Sequence, residues 1–168
     1  EISGGRAQIG VGAGDGGTAT AMGMKAERRV TAARECTEII EQAAKGEPVT
    51  YKGSMYNVMY YHSSWVTQPP PDVFVCAGGP QMIKSSAKYA QGIFVGEQLQ
   101  KQRARRNETN KAEQASIGRE DPNFQLLNFW AWHVKEDQEE ARAEARIWLA
   151  MRATPWPQYY HHDILPEE

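Results

Sequence analysis

The segment Gly10-Val11-Gly12-Ala13-Gly14-Asp15-Gly16-Gly17 closes a short apolar run that begins at Ala7. Glycine has no Cβ, so backbone at such a place can approach a ligand closely. Gly12, Gly14 and Gly17 formally satisfy the G-x-G-x-x-G spacing of dinucleotide sites. That chemistry also requires a helix opening at the third glycine and a strand ending in an acid about 20 residues on. Here Gly23 interrupts the following segment, and Glu35 and Glu38 fall inside a helical pattern. The spacing therefore argues against a dinucleotide fold, and the lack of a Gly-Lys-Ser/Thr excludes a P-loop. Two readings stay open. One is a glycine-rich turn with no ligand; the other is a strand end stripped of side chains so that a flat or phosphorylated molecule lies against it.

A second glycine turn, Ala77-Gly78-Gly79-Pro80, joins the apolar run Val73–Ala77 to a helical pattern over Gln81–Ala90. Proline suits the first turn of a helix, and backbone N–H groups there favour phosphate. A third apolar run, Ile93-Phe94-Val95, ends at Gly96-Glu97, which places Glu97 where it could touch a ligand. Three consecutive strands ending in glycine describe a binding rim of the kind α/β barrels use. Other candidates carry less. His161-His162-Asp163 lacks the spaced partners a metal site needs and reads as a solvated tail. Trp130 and Trp132 share a strand face suited to core or subunit packing, and His133 reads as structural. No Ser/His/Asp or Cys/His nucleophile arrangement can be assembled, no metal site is expected, and the catalytic residues are not identifiable.

The elements that must position these glycines follow from periodicity. Val30, Ala33, Thr37, Ile40 and Ala44 recur at helical spacing through Glu27–Lys45, and Gly46 closes the helix. Val49–Tyr51 and Met55–Val58, joined by Lys52-Gly53-Ser54, read as a surface hairpin, followed by Pro69-Pro70-Pro71. The run Val73–Ala77 is apolar without alternation, so both faces are buried, as in a parallel sheet covered by helices. Gln98–Ile117 reads as a solvated helix with basic Lys101, Arg103, Arg105 and Arg106. Phe124–Val134 reads as a long aromatic strand and Asp137–Arg152 as a helix laced with Glu/Arg pairs. Repeated strand–helix units mean a parallel α/β sheet, either half of an eight-fold barrel or most of a doubly wound sheet.

A chain of 168 residues suits one domain, here with residues 49–71 as a hairpin and loop insertion and 153–168 as an irregular tail. Lys+Arg 19 against Asp+Glu 21 removes the electrostatic case for nucleic acid. No apolar run approaches the ~20 residues that span a bilayer, so no membrane partner is expected. Cys36 and Cys76 read as two buried thiols, not a disulfide, and with no visible signal peptide the expected location is cytoplasmic. The chain starts at Glu1 on the threshold of a strand, and residues are expected to be missing at both ends.

The ordered set Ser3-Gly4-Gly5-Arg6, Gly10–Asp15, Ala44-Lys45-Gly46-Glu47, the Val49–Val58 hairpin, Val75–Pro80 and Gly92–Val95 is similar to the luciferase-like monooxygenase superfamily. Its Gly-Ala-Gly-Asp and Ala-Gly-Gly-Pro pieces look most like the deazaflavin-dependent branch, typified by methylenetetrahydromethanopterin reductase. The resemblance implies a TIM-like (β/α)8 barrel of the bacterial-luciferase type, incomplete here, with about strands four to seven. It implies an oxidoreductase that uses a reduced flavin or deazaflavin, coenzyme F-420 or FMN, for hydride transfer or monooxygenation of a small-molecule substrate. The family's phosphate contacts map onto Gly12, Ala13, Gly14 and Asp15 and onto Ala77, Gly78, Gly79 and Pro80; Gly96 and Glu97 extend the rim. Where the family often has Ala-Asp-Gly before strand six, this chain has Ala90-Gln91-Gly92. The full-length protein is expected to be a homo-oligomer, and the fragment to be inactive alone. The alternative is a non-catalytic flavin-binding or partner-pairing barrel subunit.

Overall fold

The computed structural model describes residues 2–14, 19, 21–23, 27–96, 100–119, 121–129 and 132–153. They divide into two compact units, Glu1–Trp130 and Ala131–Glu168. The first unit holds a four-stranded sheet of β1 (Ile9–Gly12), β4 (Val73–Cys76), β5 (Gly92–Gly96) and β6 (Gln125–Phe129), in that spatial order. Every neighbouring pair is parallel, as the buried apolar runs required. Its helices are α1 (Arg29–Ala43), α2 (Pro80–Ser86) and α3 (Gln100–Ser116), and a separate hairpin pairs β2 (Val49–Lys52) with β3 (Asn57–Tyr61). The second unit carries α4 (Gln138–Ala153). Among the described residues no helix is long and apolar enough to cross a membrane.

Register sorts the sheet into two faces. Val11, Val75 and Ile93 sit side by side, with Leu126 next to Ile93. Val75, Ile93 and Val95 are wholly buried and share one cluster with Ala33 of α1 and Met82 and Ile83 of α2. The other row at the same level is Gly12, Cys76, Phe94 and Leu127, and no helix of this cluster covers it. Burying that core is the main force that ties α1 and α2 to the sheet.

Local chemistry sets the ends. Pro80 occupies the first turn of α2, with Gly79 extended before it. At the far end of α1, Gly46 adopts a φ of 76°, and a Cβ there would press on Val66, so both backbone and space require glycine. Arg119 donates from Nη2 to the Ala90 carbonyl at 2.7 Å, which ties the turn after α2 to the segment leading into β6.

Gln91 acts as a clip at the N-terminal edge of the sheet. Its side-chain carbonyl accepts from the Val73 N–H at 2.9 Å while its amide donates to Glu41 of α1 at 2.9 Å. Gln91→Leu strands the N–H of a fully buried residue. A loss of about 1–3 kcal/mol in urea unfolding is expected, with the sheet otherwise intact.

Some expectations are corrected. Of the strand expected over Phe124–Val134, the described residues form β6 over Gln125–Phe129, whose last residue pairs with Gly96, the last of β5. Trp132 and Val134 lie beyond it, 83% and 81% exposed, so Trp132 is not a core residue, and Trp130 lies outside the described residues. The cysteines are free thiols, but Cys36 is half-buried and Cys76 exposed. Cys76 ends β4 beside Gly12, which has no side chain to cover it. The helix expected over Gln81–Ala90 tightens into turns after Ser86. The solvated helix α3 buries Asn110 and Gln114, and its Glu113 pairs with Lys84 and Lys88 across α2.

Candidate functional site

Parallel strands all end on the same edge, and here that edge is where the glycines gather. Gly12 is the last residue of β1 and Gly96 the last of β5, while Ala77, Gly78 and Gly79 follow β4 directly. Ala13 and Gly14 continue from β1, and Gly14 takes a φ of 73°, a conformation that favours glycine. Cys76 lies level with Gly12 on one side and Phe94 on the other. The structure thus brings Gly12, Ala13, Gly14, Ala77, Gly78, Gly79, Pro80 and Gly96 to one rim. Asp15 and Glu97 lie outside the described residues.

The space around each glycine separates those the fold needs from those it does not. A Cβ on Gly92 would enter the Phe74 ring and the Gln125 carbonyl, and one on Gly53 would overlap the Glu35 carboxylate. By contrast, Gly78, Gly79 and Gly96 have nothing within 4 Å of that position and no positive φ. Among the described residues, neither packing nor backbone conformation explains these three bare residues at the strand ends. A cradle that side chains would fill, left unfilled, is what a flat or phosphorylated ligand requires.

Below the rim, the face of the sheet opposite α1 and α2 is apolar and only partly covered among the described residues. Phe94 is half-buried and meets Phe129 with ring centroids 6.4 Å apart and planes tilted by 39°. Cys76 stands between Phe94 and Gly12. Desolvation pushes its thiol above the ordinary value, so it is protonated at neutral pH and a weak nucleophile. The surface is suited to lying against a ring system, not to attacking one. Among the described residues no group of three or more His, Cys, Asp or Glu is placed to hold a metal ion.

A dense cluster of ionisable groups lies elsewhere, where α1 meets the hairpin. Glu35 is 1% exposed and accepts from the Ser54 N–H and hydroxyl, the Met55 N–H and the Tyr56 N–H, at 2.7–3.1 Å. Burial alone would raise its pKa, but these bonds from Ser54, Met55 and Tyr56 outweigh it and hold the carboxyl at about 2. One turn on, Glu38 accepts from Arg34 at 2.7 Å and from the Tyr51 hydroxyl. Burial, then that bond to Glu38, pushes Tyr51 up to about 12. A carboxylate saturated with donors and locked in its ionised form has no proton to exchange near neutral pH. This cluster is a clasp between helix and hairpin. Sequence reading placed Glu35 in the helix but missed its role; Gly53, which clears room for the carboxylate, was the available signal.

His133 is a structural neighbour within the second unit: its ring stands edge-on to Trp148 at 5.9 Å, near Glu144. The tail motif His161-His162-Asp163 lies outside the described residues.

Comparison with known proteins adds three findings. The family model for luciferase-like monooxygenases matches residues 1–164. A 5,10-methylenetetrahydromethanopterin reductase of Archaeoglobus fulgidus is 31% identical over 150 residues, covering 89% of this chain and 45% of the relative. A coenzyme F-420-dependent glucose-6-phosphate dehydrogenase of Kineococcus radiotolerans is 31% identical over 96 residues, or 54% of this chain and 28% of its own length. Among solved structures, the coenzyme F-420-dependent tetrahydromethanopterin reductase of Methanopyrus kandleri superposes with a TM-score of 0.76 at 25% identity. It covers 90% of this chain and 48% of that one. The chain spans less than half the length of each of these proteins.

Proposed function

The chain belongs to the luciferase-like monooxygenase family, and from that premise we propose that it builds the cofactor rim of an oxidoreductase using a reduced flavin or deazaflavin. The observation that carries this is the open space at Gly78, Gly79 and Gly96, where nothing among the described residues stands within 4 Å of a Cβ. The parallel sheet and its neighbours make that rim part of an α/β barrel of the luciferase type.

The relatives named above differ in substrate, a pterin in one and a sugar phosphate in another, while coenzyme F-420 recurs. A shared cofactor with unshared substrates fits a chain that supplies phosphate and ring contacts rather than the substrate pocket. In this reading Gly12–Asp15 and Ala77–Pro80 receive the cofactor's phosphate on backbone, and Gly96 and Glu97 complete the rim. Cys76 and Phe94 form the wall against which the ring system lies and from which water is excluded. When bound, the cofactor supplies the redox chemistry, as hydride transfer or as oxygen activation. The substrate is a small organic molecule.

The deazaflavin reading predicts that the whole protein binds coenzyme F-420 at least about 10-fold more tightly than FMN in fluorescence titration. Its reduced holoprotein is expected to persist in air-saturated buffer by stopped flow. Preference for FMN with rapid reoxidation would make the protein a monooxygenase instead. A second reading, a partner-pairing subunit without activity, draws on β1 and β6, each of which pairs on one side only among the described residues. Binding of neither cofactor would favour it.

A further inference from the structure

The helix that follows the rim is held differently from its neighbours. α3 starts four residues after Gly96, the last residue of β5. α1 and α2 each set apolar side chains into the core, Ala33 from the first and Met82 and Ile83 from the second. Among its described side chains, α3 sets none there. Its apolar residues in that stretch, Ala112 and Ala115, are exposed, and the two residues it buries are Asn110 and Gln114, 1% and 6% exposed. A helix in a protein draws most of its stability from an apolar face packed on neighbours. Over residues 107–116 no such face is present.

The buried amides make the closed position of α3 costly. Neither Nδ2 nor Oδ1 of Asn110, nor Nε2 of Gln114, has a hydrogen-bond partner among the described residues. The two residues stand one turn apart, so they share the face that α3 buries. A polar group buried without a partner gives up its bonds to water and gains none in return. Opening the helix returns all three groups to solvent. Against this, Glu113 stands 3.7 Å from the Lys84 ammonium and 3.6 Å from that of Lys88, but both lysines are exposed and such pairs add little. Arg119 is a firmer tie, donating to the Ala87 and Ala90 carbonyls. It lies past the far end of α3, away from the end that follows the rim. Gln, Glu, Lys, Arg and Ala make up most of the helix, and these are good helix formers, so it closes again readily.

We propose that α3 is a strap that opens locally and is held shut by a cofactor seated on the rim, an inference that rests on the cofactor reading of Gly78, Gly79 and Gly96. A ligand against Gly96 restrains the chain just ahead of α3, and a helix that grows from a fixed end avoids much of the cost of nucleation. Local opening and ligand binding are then linked: a ligand that binds only the closed form suppresses the open one in proportion to its excess over Kd.

Amide hydrogen exchange on the whole protein tests this. Without ligand, amides over residues 107–116 are expected to exchange at least about 100-fold faster than those over residues 33–37 of α1. Coenzyme F-420 at about 100 times its Kd, or FMN if that binds instead, is expected to slow them at least about 10-fold. The hairpin strand Asn57–Tyr61 is expected to be unaffected. Asn110→Leu exchanges an unpaired amide for an apolar group of similar size. It is expected to slow the same amides about 10-fold without cofactor, and to reduce trypsin cleavage after the exposed Lys111. Gln114→Met carries the same expectation and serves if Asn110→Leu fails to fold. Exchange over α3 as slow as over α1, or faster exchange in both variants, overturns the proposal, because the amides are then paired in the whole protein. A cofactor that binds in titration but leaves α3 exchange unchanged also overturns it, while the cofactor reading stands. Binding of neither cofactor overturns both.

Discussion

Gly79→Val is expected to weaken cofactor binding by about 100-fold, or ~2.8 kcal/mol, while leaving the fold nearly as stable as before. The reasons are local. Gly79 has an extended backbone, φ −105° and ψ 159°, which valine adopts readily, and nothing stands within 4 Å of the new Cβ. The residue caps α2 without a side-chain bond, so only the modest preference for glycine over valine at that position is lost. That amounts to about 0.5–1 kcal/mol. Gly92→Val should show the inverse pattern. Its side chain would enter the Phe74 ring and the Gln125 backbone carbonyl, neither of which can retreat without moving β4 or β6. A cost of about 3 kcal/mol or more is expected, seen as a melting midpoint lower by roughly 6–12 °C. The two variants are compared by cofactor titration and thermal melts on the same protein. If Gly79→Val loses stability and affinity in equal measure, the rim glycines serve folding, and the ligand reading of this edge is wrong.

That contrast also shows what the sequence could and could not reveal. The parallel sheet was legible because Val73–Cys76 is apolar at every position, without the alternation of a half-exposed strand, although Cys76 at its end is exposed. The rim followed, since parallel strands place their C-terminal ends together, and glycine runs after β1, β4 and β5 are visible without coordinates. Which glycines the fold requires was not legible. Gly92 and Gly79 look alike in sequence and differ only in what surrounds them. The hairpin's second strand was expected at Met55–Val58 and lies at Asn57–Tyr61, because its turn is built by a distant residue. Glu35 gathers the N–H groups of Ser54, Met55 and Tyr56, so those residues curl around a carboxylate instead of pairing as a strand. Likewise α3 matched no apolar pattern: among its described side chains, the buried ones, Asn110 and Gln114, are polar. Pattern reading registers hydrophobic periodicity and turn chemistry; it does not register a tertiary hydrogen bond.

The Glu35 clasp gives the second large effect. Glu35→Gln keeps the shape but turns an amide NH₂ toward backbone N–H groups that need an acceptor, so at least one buried donor is left unpaired. A midpoint lower by about 5–10 °C near pH 7 is expected for a chain of this size. The pH dependence identifies the cause. Glu35 has an ordinary value of 4.5 and is held at about 2 in the fold. A depressed carboxylate contributes stability that is fully present above its unfolded value and is lost as pH falls through the folded one. Wild type should therefore lose this contribution progressively between about pH 4.5 and pH 2, whereas the glutamine variant has no charge to lose there. The other carboxylates titrate in both proteins, so the informative quantity is the difference between the two midpoints. It should be widest at neutral pH and narrow steadily on acidification. A difference that stays constant from neutral pH down to about pH 2 would show that packing, not the ionised carboxylate and its four donors, holds the hairpin against α1.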